Sequence, residues 1–315
     1  MSQTIDERIQ EFYARAELPG LHAVIVQHKG EQVAESYFNG YDENWGRPIG
    51  HRDFLRSSLH DIRSISKSIT SLLYGIALRD GLVPSPDAAI IDHLAPYKSD
   101  HARWDEITVA DTLSMQMGIR WNEDIPYSDP RNSEVAMEMS GDRIGYVLSQ
   151  PVEKKPGTKW QYNGGATALI GKLITDGTKM PLDAYAKKML FDPMGITGFE
   201  WSNGVDGTIA AASGLRMRAI DLLKIGQMIM DQGQYQGQQI VPARWIAVMT
   251  SAHASIPDGL RYGYFWWLGP EGRGWFAGFG NGGQRLFINP KVNLVMVLYA
   301  GNYNQPDAWR LATTM

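Results

Sequence analysis

The pattern of apolar and polar positions predicts β-strands near both ends of the chain. Residues 21–28 and 32–38 are apolar-rich stretches separated by the turn 29–31, which is typical of a β-hairpin. Further strand-like stretches follow near the C-terminus, with turn-forming residues between them. These stretches are 263–268, 275–278, 284–288 and 294–299.

Between these two ends, the apolar spacing changes to that of helices. Thr4 and the acidic residues after it predict a helix over 4–18, and the apolar period of 63–80 predicts a buried helix that Gly81 ends. More helices are predicted at 108–117, 141–148, 166–175, 181–190, 219–232 and 242–250. The fold class is therefore α+β, with an antiparallel sheet that is built from both termini and flanked by helices.

This order of elements also predicts how the chain divides. Residues 1–70 together with 206–315 form the α/β lobe, and 71–205 form an inserted, mainly helical lobe. A cleft between two such lobes is where a small ligand is expected to bind.

Composition narrows the kind of partner. The chain has 315 residues, of which 43% are hydrophobic and 20% charged, as in folded globular proteins. A net charge of −4 leaves no basic footprint, so no nucleic-acid partner is expected. The absence of cysteine excludes a disulfide scaffold, a thiolate nucleophile and a Cys-ligated zinc site. The polar N-terminus and the lack of a long apolar run predict a cytoplasmic protein without a membrane segment.

The first candidate for chemistry is Ser64-Ile65-Ser66-Lys67, the only Ser-x-x-Lys in the chain. On a helix, residues i and i+3 share a face, so the Ser64 hydroxyl lies within reach of the Lys67 amine. Burial would lower the pKa of Lys67 and allow the amine to act as a base near neutral pH. The alternative is an ordinary polar helix start with a solvated lysine.

Two glycine-rich segments could complete such a site. Tyr162 lies in the turn 156–165, directly before a predicted helix, where its phenol could relay a proton. The segment 278–284 (GFGNGGQ) opens a strand, and the Gln284 N–H could join the Ser64 N–H as an oxyanion hole. Alternatively, Tyr162 only packs a loop and the glycines only form a turn.

The motifs SISK, PGTKWQYNGG and GNGGQ, in this order, resemble the serine β-lactamase-like superfamily over about residues 20 to 300. That superfamily includes class C β-lactamases, D-alanyl-D-alanine peptidases, carboxylesterases and 6-aminohexanoate-dimer hydrolases, and the likeness is closest to the last two. The resemblance implies an acyl-enzyme on Ser64, with Lys67 as general base and Tyr162 as proton relay. It places Asn281-Gly282-Gly283 at the third, Lys-Thr-Gly-like motif.

Two departures from the superfamily pattern bear on the substrate. Where Tyr-x-Asn is usual, this chain has Tyr162-Asn163-Gly164, so the substrate-binding amide is either missing or displaced to Asn163. Where the third motif usually begins with Lys or His, this chain has the neutral Asn281. Both changes argue against β-lactam or peptidoglycan turnover and favour a small ester or amide substrate.

Other interpretations remain open. The same fold could serve a catalytically weak binding or regulatory protein, or a D-amino-acid peptidase or β-lactamase. Gly278-x-Gly280-x-x-Gly283 formally matches a dinucleotide-binding motif, but a strand follows it where such a motif precedes a helix. The histidines show no metal-ligand spacing. We therefore expect neither a cofactor nor a metal.

Overall fold

The computed structural model describes residues 4–97 and 102–305. Its largest element is an eight-stranded antiparallel sheet with the strand order β10-β11-β12-β13-β14-β15-β1-β2. The strands are β1 (Leu21–His28), β2 (Glu31–Tyr37), β3 (Asn39–Asn44), β4 (Arg47–Asp53), β5 (His60–Asp61), β6 (Phe199–Trp201), β7 (Leu215–Met217), β8 (Gln234–Tyr235), β9 (Gln238–Gln239), β10 (Ala254–Ser255), β11 (Arg261–Tyr262), β12 (Trp267–Leu268), β13 (Phe276–Gly280), β14 (Gln284–Asn289) and β15 (Leu294–Ala300). Because N-terminal β1 pairs with C-terminal β15, the prediction of a sheet built from both termini is confirmed.

Helices cover both faces of this sheet. The helices are α1 (Ile5–Ala14), α2 (Ile65–Arg79), α3 (Val109–Leu113), α4 (Ser133–Glu138), α5 (Arg143–Leu148), α6 (Gly164–Thr178), α7 (Leu182–Ala186), α8 (Ala219–Met230) and α9 (Ala243–Met249). Side chains alternate between the faces of a strand, and in β1 Val24 packs into the core under α1 whereas Ile25 packs into the main core. Because helices cover both faces of the sheet at β1, most residues of this strand are apolar.

Helix α2 joins the sheet to the helical part of the molecule. Every residue from Ile65 to Ala77 is buried, as the apolar period of this segment predicts. The main hydrophobic core runs without interruption from Val297 of the sheet to Ile170 of α6. The Trp245 indole N–H donates to the Ser71 carbonyl at 2.9 Å, which ties α9 to the middle of α2. The start of α2 is therefore held rigidly from several sides.

Helices α3 to α7 lie within the predicted helical insert. A small sheet with the order β5-β7-β6 connects this insert to the rest of the chain. The predicted boundary at residue 205 falls between β6 and β7, so it cuts between two paired strands. The division into two lobes at residues 70 and 205 stays a prediction. No helix in residues 4–97 and 102–305 is long and apolar enough to cross a bilayer.

Two local predictions need correction, and one hairpin was not predicted. The predicted strand 263–268 is interrupted, because β11 ends at Tyr262, β12 begins at Trp267, and a turn lies between them. The predicted helix 181–190 is the short α7 followed by a π-helical turn, Lys187–Phe191. The hairpin of β3 and β4 was missed, because its residues are mostly polar and solvent-accessible and carry no apolar alternation.

Candidate active site

Ser64 caps the N-terminus of α2, at the end of a tight turn. Arg63 before it adopts a left-handed backbone with φ of +51°. This conformation is held because the Arg63 N–H donates to Asp61 at 2.9 Å and its guanidinium donates to Glu43 at 2.8 Å. The Ser64 N–H has no acceptor among the described residues. Ser64 therefore presents both a hydroxyl and a free amide at the start of a helix, where anionic charge is stabilised.

Lys67 lies one turn further along α2 and is only 1% exposed. Its Nζ is 3.2 Å from Ser64 Oγ, 3.2 Å from Glu134 Oε2 and 3.1 Å from the Ala212 carbonyl oxygen. Burial alone would lower the pKa of Lys67, but the nearby Glu134 carboxylate raises it above its ordinary value. The prediction of a lowered pKa was therefore wrong, because no motif along the sequence indicates a carboxylate beside Lys67.

Glu134 was missed as a site residue. It lies in the first turn of α4, where the Asn132 side chain accepts from the Glu134 N–H at 3.0 Å. The residue is 5% exposed, and burial raises the pKa of its carboxyl well above the ordinary value despite the opposing effect of Lys67. None of the three motifs contains Glu134, so the sequence did not single out this carboxylate.

Tyr162 lies on the other side of the serine. Lys67 Nζ is 4.9 Å from the centre of the Tyr162 ring. Burial raises the pKa of the Tyr162 phenol, and the nearby Lys67 ammonium and Ser64 hydroxyl partly oppose this rise. Trp267 packs against the Tyr162 ring, with centroids 5.8 Å apart. The structure thus brings Ser64, Lys67 and Tyr162 together.

The two residues after Tyr162 form hydrogen bonds within the protein. The Asn163 side chain accepts from the Ala166 N–H at 3.1 Å, so this buried amide caps α6 and is not presented to a substrate. The Gly164 N–H donates to the Glu123 carboxylate. A Cβ at position 164 would lie 2.5 Å from Glu134 Oε2, so the carboxyl of Glu134 fills the space that a side chain there would need.

The third motif forms the turn between β13 and β14. Asn281 lines the same cleft as Ser64, and its Nδ2 donates to Asn304 Oδ1 at 2.7 Å. Gly282 and Gly283 have φ of +93° and +99°, which a residue with a side chain would adopt only with strain. Gln284 is fully buried, and its side chain bridges to the Ala300 backbone of β15.

The position of the third motif in this turn changes which backbone N–H is expected to bind an oxyanion. Gln284 is not among the described residues that line the cleft of Ser64. Gly280 instead lies against the turn that precedes Ser64, since a Cβ there would be 2.4 Å from the Ile62 carbonyl oxygen. The next N–H along the chain is that of Asn281, which has no backbone or side-chain acceptor among the described residues. The strand end therefore offers the Asn281 N–H to the cleft.

The cleft has a volume of about 390 Å³. Besides Ser64 and Asn281, its walls include Trp45, Tyr127 and Glu134. A larger cavity of about 620 Å³ lies between α5, α6 and the loop after β6, and Ser64 does not line it. Within the described ranges, no group of His, Asp and Glu side chains could hold a metal ion. The smaller cleft is therefore the candidate active site.

Comparison with known proteins gives a consistent set of relatives. The Beta-lactamase family model matches residues 5–312. A 6-aminohexanoate-dimer hydrolase from Paenarthrobacter ureafaciens is 23% identical over 331 residues, covering 95% of this chain and 77% of the relative. A beta-lactamase from Pseudomonas fluorescens is 22% identical over 194 residues, covering 62% of this chain and 49% of the relative.

Solved structures show the same fold. The hydrolase EstCE1, which has promiscuous acyltransferase activity, superposes with a TM-score of 0.75 at 14% identity, covering 96% of this chain and 95% of EstCE1. The penicillin-binding protein from Bacillus halodurans superposes with a TM-score of 0.72 at 14% identity, covering 97% of this chain and 98% of that protein.

Proposed function

Because the chain belongs to the Beta-lactamase family, whose members include hydrolases of amide and ester bonds, we propose that it forms an acyl-enzyme on Ser64. One observation carries this proposal. The Ser64 hydroxyl, at a helix N-terminus, is contacted by Lys67 Nζ at 3.2 Å and lies near the Tyr162 phenol, whose pKa it acts to lower. A hydroxyl between two groups that can move its proton is suited to nucleophilic attack.

In the proposed reaction, Ser64 Oγ attacks the substrate carbonyl carbon and its proton passes to Lys67. The Ser64 N–H and the Asn281 N–H hold the developing oxyanion, supported by the positive end of α2. Tyr162 then passes a proton from Lys67 to the leaving alcohol or amine, and the bond to the leaving group breaks. Water attacks the acyl-enzyme with the same groups acting in reverse, which releases the acid and restores Ser64.

The residues at the second and third motifs favour small esters or uncharged amides. Asn281 provides no cation for a substrate carboxylate, and its side chain is already paired with Asn304. The space beside Tyr162 holds the acceptor-only Glu134 carboxylate, where a donor amide would bind the side chain of a β-lactam. The names of two relatives, a 6-aminohexanoate-dimer hydrolase and an acyl-transferring hydrolase, support amide or ester chemistry.

The proposal is tested with a fluorophosphonate probe, which phosphonylates an activated serine. We expect mass spectrometry to find the adduct on Ser64, and Ser64→Ala to lower kcat for a p-nitrophenyl ester by about 10³-fold or more. Ser71→Ala is the matched control on the same helix, since among the described residues the hydrogen-bond partner of the Ser71 hydroxyl is Met249 Sδ at 3.9 Å. A label on another serine, with Ser64 unmodified, would contradict the assignment.

A further inference from the structure

The hydrogen bonds of Lys67 show why it cannot take the Ser64 proton in the resting state. An ammonium group has three N–H donors and no acceptor. Lys67 Nζ has three acceptors around it at 3.1 to 3.2 Å, namely Ser64 Oγ, Glu134 Oε2 and the Ala212 carbonyl oxygen. In this arrangement Lys67 donates to Ser64. It must first lose a proton before it can accept one.

Among these three acceptors, only Glu134 can hold that proton near neutral pH. We propose that Glu134 takes a proton from Lys67 at the start of each acylation and keeps it until the acyl-enzyme has been hydrolysed. This inference rests on the proposed acyl-enzyme chemistry of Ser64. Glu134 then acts through Lys67 as a proton-accepting partner and does not itself touch the substrate carbonyl.

The proton transfers balance in two steps. First an N–H bond of the Lys67 ammonium breaks, an O–H bond forms on Glu134 Oε2, and the electron pair stays on Nζ. Next the Ser64 O–H bond breaks as Oγ bonds to the carbonyl carbon, and that proton goes to Nζ. Filling of the cleft by a substrate removes water, which favours a neutral amine and carboxylic acid over a buried ion pair.

The residues around Glu134 are suited to this role. Gly164 leaves room for the carboxyl, because a Cβ there would be 2.5 Å from Oε2. Glu123 lies near Glu134, and its negative charge adds to burial in raising the pKa of Glu134, which favours uptake of a proton. Tyr127 donates to Glu123 at 3.0 Å and lines the same cleft, where it is half-buried.

Another carboxylate in the cleft provides a comparison. Glu138 lies one turn further along α4 and pairs with Arg143 at 2.7 Å, not with Lys67. Burial raises the pKa of Glu138 to about 7. Glu138 therefore shares the helix, the cleft and the partial burial of Glu134, but it lacks the contact with Lys67.

The experiment measures the rate of fluorophosphonate labelling of Ser64 between pH 6 and 10. In the wild type, proton transfer within the Lys67–Glu134 pair takes no proton from the solvent, so we expect a rate that is nearly constant from pH 7.5 to 9.5. In Glu134→Gln, Lys67 must release its proton to water. The rate should then rise about tenfold per pH unit below the pKa of Lys67, and be about 10- to 100-fold lower at pH 7.

Glu138→Gln is the matched control and should keep the wild-type profile above pH 7.5. Equal profiles for Glu134→Gln and the wild type would overturn the proposal. If Glu134→Gln does not fold, the pH profile of the wild type alone tests the proposal. A labelling rate that rises tenfold per pH unit from pH 7.5 to 9.5 would show that Lys67 loses its proton to solvent and would overturn the proposal. Failure of the wild type to label Ser64 at any pH would instead contradict the proposed function.

Discussion

The replacement Lys67→Met tests how the buried charges of the site are balanced. Methionine has a similar length and removes only the charge and the three hydrogen bonds of Nζ. It leaves the Glu134 carboxyl, 5% exposed, facing Glu123 without a cation at 3.2 Å. An unpaired buried carboxylate is unfavourable, so the folded variant should take up a proton on Glu134.

The magnitude follows from the direction of the pKa shift. Burial already raises the pKa of Glu134, and loss of Lys67 removes the main opposing effect. Above pH 4.5 the folded variant then binds one more proton than the unfolded chain, so its free energy of unfolding falls as pH rises. The slope is about 1.4 kcal/mol per pH unit up to the folded pKa, and relative to the wild type the loss accumulates between the folded pKa of Glu134 in the wild type and its higher folded pKa in the variant.

Urea unfolding, followed by circular dichroism at pH 5, 6, 7 and 8, measures this effect. The quantity of interest is the difference in free energy of unfolding between Lys67→Met and the wild type, since titrations common to both cancel. This difference should grow with pH for Lys67→Met and be nearly constant for the double variant Lys67→Met/Glu134→Gln. A pH-independent difference for the single variant would refute the argument that Lys67 neutralises Glu134.

Two further predictions concern the fit of the cleft. Gly164→Ala places a Cβ 2.5 Å from Glu134 Oε2, so it should lower the free energy of unfolding by about 1 to 3 kcal/mol and slow the labelling of Ser64. The control is Gly141→Ala, whose Cβ would meet nothing within 4 Å and should change neither quantity. Thermal unfolding and the labelling rate measure both variants. Because Asn281 supplies no cation, kcat/KM for short p-nitrophenyl esters or linear amides should exceed that for a chromogenic cephalosporin, and equal values would contradict this preference.

The parts of the fold that depend on local pattern could be predicted from the sequence. The hairpin of β1 and β2 has apolar stretches flanking a short turn, and α2 has a long apolar period with a glycine after its end. The helix start predicted at Thr4 is confirmed, since the Thr4 side chain accepts from the Glu7 N–H. The hairpin of β3 and β4 could not be predicted, because exposed strands bury no face and so carry no period of two.

Part of the site depends on the spacing of residues along one helix, and this part could be predicted from the sequence in the same way. Ser64 and Lys67 are three residues apart on α2, so helical geometry alone brings the hydroxyl and the amine together. The position of Gln284 could not be derived, because the end of β13 and the start of the turn are set by strand pairing. Gly280 pairs with Gln284, which directs the Gln284 side chain to β15 and leaves Asn281 at the cleft.

The least predictable feature is the relation between Gly164 and Glu134, and it changes the meaning of the second motif. Taken along the sequence, Gly164 is a lost side chain, and that loss argues for a weakened substrate site. In three dimensions the space is occupied by the carboxyl of Glu134, 30 positions earlier, which is hydrogen-bonded to Lys67, the residue that contacts Ser64. A donor amide has thus been exchanged for an acceptor that can carry a proton. The glycine is therefore better explained by the charged pair of Lys67 and Glu134 than by decay of the site. A catalytically idle protein would have no need to bury Glu134 beside Lys67 and Ser64.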